Sequence, residues 1–144
     1  MNTKFTLLSV PQFTWFQKIL SQVMKKISKD NKSMSHYLIG LVISDLGQKN
    51  FLNEENKRDW IEYNSASRKT RSCDITNKRR FSLYLPLRLP WIYEKLKKVT
   101  TNRSTYVWDL MLKDNFNLLD ARAKEDWSQY CSRADRKTNI KELI

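Results

Sequence analysis

The feature that most constrains this chain is that its sequence is written twice. Sliding it by 76 positions places Lys4-Phe5-Thr6-Leu7 on Arg80-Phe81-Ser82-Leu83, Trp15 on Trp91, Leu20 on Leu96 and Val23 on Val99 without a gap. Residues 35–43 then fall on residues 104–112 at an offset of 69. The difference, 76 − 69, is seven residues, about two helical turns, so a helix is shortened while its buried face is kept. A third block, Asp59-Trp60-Ile61-Glu62-Tyr63, recurs as Asp126-Trp127-Ser128-Gln129-Tyr130, and Arg68-Lys69-Thr70 recurs as Arg136-Lys137-Thr138. Three blocks in the same order read as a duplication, with one unit over residues 1–75 and the other over 76–144. At this length the two units are expected to form one domain with a shared core, because neither alone buries enough surface.

Each unit reads as strand, helix, helix, helix. Phe81, Leu83 and Leu85 alternate with Arg80, Ser82 and Tyr84 and stop at Pro86, the two-residue period of a strand with one buried face. In the first unit the preferred registration keeps Phe5 and Leu7 inside and turns Lys4, Thr6 and Leu8 outward. Its proline comes one residue later, so the other registration, with Thr6, Leu8 and Val10 inside, stays open. The next helix carries Ile92, Leu96 and Val99 on one side, matched in the first unit by Phe16, Ile19, Leu20, Val23 and Ile27 over two more turns. A second helix follows a polar loop, with Ser35 or Ser104 placed to cap its free amides. It is apolar nearly all round, and packing against its counterpart would bury it, with Gly40 expected to let the two backbones approach. The third helix carries Trp and Tyr three apart on one face, a spacing that covers a core more often than it binds a ligand.

Charge narrows the partner. Lys and Arg number 27 against 15 Asp and Glu, a net charge of +12, which draws polyanions, nucleic acid first and an anionic membrane surface second. No apolar run reaches the ~18 residues of a membrane span, and the N-terminus lacks the apolar core of a signal peptide, so a cytoplasmic, DNA-associated protein without membrane contact is expected. Cys73 and Cys131 stand alone and read as incidental thiols. An enzyme is not expected: the one histidine, His36, opens an apolar helix and reads as a cap or core residue. Gly40 and Gly47 cannot make a phosphate-binding loop, and neither a metal-ligand spacing nor a cofactor motif appears.

A basic strand ending at proline, a helix and a buried helix opened by a short polar turn resemble the ribbon-helix-helix DNA-binding family of the Arc, MetJ and CopG type. The residues that carry the resemblance are Arg80-Phe81-Ser82-Leu83-Tyr84-Leu85-Pro86, the helix around Leu96 and Val99, and Asn102-Arg103-Ser104-Thr105 before residues 106–112. It covers residues 4–46 and 80–115, and two copies in one chain look like the tandem arrangement of TraY-like relaxosome proteins. The resemblance implies a mainly α fold with a two-stranded antiparallel β-ribbon, a tandem pseudo-dimer with an extra helix per repeat. It also implies that the ribbon enters the major groove of double-stranded DNA, with Arg80, Ser82, Tyr84, Lys4, Thr6 and Leu8 at base edges. Phosphates would be held at the amino ends of the second helices by Ser35, Ser104 and Thr105, with Lys32 and Arg103 nearby and Lys78 and Arg79 before the second strand. Arg68, Lys69 and Arg71 would add nonspecific contacts, or serve only as a solvated linker.

The expected function is therefore a sequence-specific regulator of transcription, a repressor in the simplest case, with self-association on adjacent DNA sites as a further expectation. The alternatives are a relaxosome or plasmid-maintenance accessory protein on the same interface, and an antitoxin-like or inhibitor-like module that holds another protein. Without a base-reading role, both strands would simply be sheet edges kept soluble by Lys and Arg.

Overall fold

The computed structural model describes residues 5–30, 32–65, 79–86 and 88–143, with side chains for 6–30, 32–65, 79–86 and 88–133. The chain is mainly helical with one two-stranded antiparallel sheet. The order is β1 (Phe5–Ser9), α1 (Thr14–Lys29), α2 (Met34–Gln48), α3 (Glu54–Ser65), β2 (Arg80–Tyr84), α4 (Trp91–Val99), α5 (Arg103–Asp114), a 3-10 turn (Phe116–Leu118) and α6 (Ala121–Leu143). The predicted helix shortening is present, since α1 has 16 residues and α4 has 9.

The strands pair Phe5 with Tyr84, Leu7 with Ser82 and Ser9 with Arg80, and Val10 N–H donates to the Arg79 carbonyl one step beyond, at 2.8 Å. Directly paired residues share a face. β2 has the predicted inward set, Phe81 and Leu83, with Leu85 buried just beyond it. β1 does not: Thr6, Leu8 and Val10 are buried and Leu7 is 51% exposed. The assignment of Thr6 and Leu8 to an outward base-reading face is thus corrected, and the registration anchored on the proline holds. Its cost is visible, because Thr6 Oγ1 is buried without a hydrogen-bond partner.

Beneath the ribbon, α2 packs against α5, and Trp108 fills the centre with no exposed surface. Phe16 meets its ring edge-on at 5.5 Å, and Trp108 Nε1 donates to the Ser9 carbonyl at 2.8 Å. Polar contacts then cross between the halves in reciprocal pairs. Tyr37 O–H donates to Asp114 at 2.5 Å, and Tyr106 O–H donates to Asp45. Trp15 Nε1 donates to Asp126 at 3.0 Å, and Trp91 Nε1 donates to Asp59 at 3.2 Å. Each bond joins one half to the other, and each pair joins positions matched by the sequence blocks or their continuation at the same offset.

The third helices cover the core as expected. Trp127 is buried and stacks on Tyr130 with ring centroids 5.1 Å apart. In α3, Trp60 and Tyr63 lie against His36, whose Nε2 donates to Asn64 Oδ1 at 2.8 Å. Gly40 differs from expectation: a Cβ there would make only an ordinary contact, 3.6 Å from the Trp60 ring, and would meet nothing of α5, so the approach of the two buried helices does not depend on the glycine.

Substitutions at three of these positions have definite outcomes. Thr6→Val keeps the shape and removes the unsatisfied hydroxyl, so it raises the unfolding free energy by about 1 kcal/mol, read from the urea midpoint at unchanged slope. Burial first, then the bond to a carboxylate, pushes both Tyr37 and Tyr106 well above the ordinary phenol value. A phenol held protonated by the fold stabilises fully below the unfolded value near pH ~10, and that contribution is lost as pH rises through the folded value. Tyr37→Phe and Tyr106→Phe each lower stability at neutral pH by about 1–2 kcal/mol and flatten its decline above pH ~10, measured by denaturation across an alkaline series.

Candidate nucleic-acid interface

Alternation along the paired strands leaves one polar face turned away from the core. On β2 it carries Arg80, exposed, Ser82, half-buried, and Tyr84, 54% exposed. On β1 it carries Leu7 and Ser9, both exposed. Leu7 therefore takes the outward role expected of Leu8, and Ser9 that expected of Thr6. Lys4 and Lys78, together with Arg68, Lys69 and Arg71, lie outside the described residues.

The ends of this face are tied to the two buried helices. Ser9 N–H donates to Ser104 Oγ at 2.8 Å, and Tyr84 N–H donates to Ser35 Oγ at 3.2 Å. Ser35 and Ser104 therefore do not cap their helices. Capping falls to Ser33, which accepts from His36 N–H at 3.1 Å, and to Asn102, which accepts from Thr105 N–H at 3.1 Å. The difference has a physical reason. A serine inside the first turn can reach outward to a neighbouring strand, whereas a cap must sit before the turn to reach back to its amides. Each strand-bound hydroxyl still has its own O–H to donate, and each stands in a helix opening where the dipole favours an anion.

Cations flank these openings in sequence, and of them Lys97 is ion-paired with Glu94 at 3.5 Å. Lys32 is exposed just ahead of α2, and Lys26 and Lys29 close α1. Lys97 and Lys98 close α4 ahead of Arg103. Arg103 is half-buried, its guanidinium 5.8 Å from the Tyr93 ring centroid and within 3.5 Å of the Tyr93 hydroxyl. Thr105 is also half-buried and its side chain hydrogen-bonds Tyr130, so its hydroxyl is engaged within the fold. Arg79 and Arg80 are exposed at the start of β2.

The candidate residues brought together are thus Arg80, Ser82, Tyr84, Leu7 and Ser9 on the ribbon, flanked by Ser35 with Lys32 and by Ser104 with Arg103. Sequence reasoning missed Leu7 and Ser9, although the prolines at 11 and 86 mark the registration that exposes them. Among the described residues no group of three metal-ligating side chains comes together, and no helix is long and apolar enough to cross a membrane. Comparison with family models, with curated proteins and with solved structures finds no match to this chain.

The two serine hydroxyls make a specific expectation. In Ser35→Ala the Tyr84 amide, and in Ser104→Ala the Ser9 amide, exchanges with solvent deuterium faster by about fivefold, the worth of roughly 1 kcal/mol per lost bond. Amide-resolved exchange by NMR reads both, with the ladder amides as internal controls.

Proposed function

We propose that this chain is a sequence-specific double-stranded DNA-binding protein, two tandem ribbon-helix-helix repeats over residues 1–75 and 76–144 that share one core. It acts as a transcriptional regulator by occupying its site. The observation that carries the reading is the single outward ribbon face, with Arg80, Ser82, Tyr84, Leu7 and Ser9 on it and a serine-bearing helix opening at either end.

The physics of the duplex fits those parts. A two-stranded ribbon matches the major groove, where Arg donates to guanine O6 and N7 and Ser serves as donor or acceptor. Phosphates on either side of the groove meet the two helix openings, each offering a serine O–H. Lys26, Lys29 and Lys32 at one end, and Lys97, Lys98 and Arg103 at the other, strengthen attraction to phosphate without reading sequence. A net charge of +12 brings the chain to the polyanion before any of these contacts form.

The same interface serves a relaxosome or plasmid-maintenance protein, since the fold does not fix the process. The exposed Leu7 and Tyr84 support a second reading, an antitoxin-like or inhibitor-like module whose ribbon holds another protein. Salt separates the two. DNA affinity falls about a thousandfold between roughly 50 and 200 mM salt when about six phosphates are neutralised, whereas a ribbon that docks a protein leaves only weak, salt-insensitive retention of DNA. Arg80→Ala reduces discrimination between specific and random duplexes by about 1–3 kcal/mol with a smaller loss of nonspecific affinity. Fluorescence anisotropy across a salt series, on both duplexes, measures each effect. Equal affinity of wild type and Arg80→Ala for the specific duplex refutes the base-reading role of Arg80.

A further inference from the structure

The ribbon face is chemically different at its two ends, and if the chain binds DNA, as its proposed function holds, that difference sets which bases it prefers. Ser9 stands opposite Arg80 at one end, Leu7 opposite Ser82 in the middle, and Phe5 opposite Tyr84 at the other end. The first end holds a guanidinium fork beside a small hydroxyl. Arg80 is exposed and makes no ion pair among the described residues. From the middle to the far end the large exposed groups are Leu7 at 51% and Tyr84 at 54%.

An exposed leucine at the centre of the ribbon, directly opposite Ser82, gains only if its partner offers apolar surface. Base edges offer one such group in the major groove, the C5 methyl of thymine. The backbone beneath Ser9 and Tyr84 is held by Ser104, Ser35 and Trp108, so the outward side chains project from a fixed frame. We propose that the ribbon reads a non-palindromic site, with a guanine under Arg80, a thymine methyl under Leu7 at the centre, and Tyr84 on a different base step at the far end.

The test selects bound duplexes from a random pool with the full chain, then replaces the central thymine of the winner by uracil. The expected consensus has its guanine on one side only. Loss of the methyl weakens wild-type binding about fourfold, the worth of roughly one buried carbon. Leu7→Ser binds thymine and uracil duplexes equally while keeping the guanine preference, and Arg80→Ala keeps the thymine preference while losing the guanine. Leu7 is outside the core, so an unchanged thermal melt shows that Leu7→Ser remains folded. A palindromic consensus, or wild-type binding indifferent to uracil, overturns the asymmetric reading and leaves DNA binding standing. A pool that shows no enrichment overturns the DNA-binding reading itself.

Discussion

A helix that is apolar around most of its circumference has to be surrounded, and α2 is such a helix. Met34, Leu38, Ile39, Val42, Ile43 and Leu46 are all buried, on more than one side. A unit of about 70 residues has too little chain to enclose it. The fold meets this demand with α5, whose Val107, Trp108, Met111 and Leu112 pack from the other half. The Tyr37–Asp114 and Tyr106–Asp45 bonds join the start of each helix to the end of the other, so the pair runs antiparallel. Once the helices cross in this sense, Ser35 reaches β2 and Ser104 reaches β1, and the two strands lie side by side. The ribbon is a consequence of burying α2.

The periodic parts of this arrangement were legible in the sequence. Phe81, Leu83 and Leu85 announced an inward face, the seven missing residues announced a short α4, and the unbroken apolar runs announced two helices in mutual contact. The register of β1 was not legible by block matching, and the reason is geometric. From Pro11 to Trp15 is four residues and from Pro86 to Trp91 is five, so a single offset carried from strand to helix misplaces the strand by one. In a structure of period two, one residue inverts every side chain. Hydrophobicity could not decide between the faces, because Phe5 and Leu7 on one are matched by Leu8 and Val10 on the other. The proline was the safer anchor because it marks where the chain must leave the ladder.

The cross-half polar bonds escaped for another reason. Trp15, Trp91, Asp59 and Asp126 all lie in matched blocks, but nothing in their spacing says that each tryptophan bonds the aspartate of the other half. The same bonds shape the electrostatics. Asp45, Asp59, Asp109, Asp114 and Asp126 all accept hydrogen bonds inside the fold, and Asp120 accepts from Ala123 N–H at the opening of α6. Acid used in this way is held at seams, while Lys26, Lys29, Lys32 and Lys98 remain exposed. A net charge of +12 gives such a surface an attraction for polyanions.

Covalent linkage of the halves matters most at the ribbon. In a dimer of identical chains, symmetry forces each strand to present what its partner presents, and a change that suits one end is copied to the other. A single chain is free of that requirement. Leu7 and Ser82 face each other at the centre, and Ser9 and Tyr84, each held through its amide by a helix serine, carry unlike side chains in like surroundings. The frame stays reciprocal because the core needs it, whereas the outward residues answer only to what they touch. Holding the amides also removes part of the ordering cost that a flexible ribbon would meet on docking against any partner. Conserved geometry below and divergent chemistry above are what one chain can combine and two identical chains cannot.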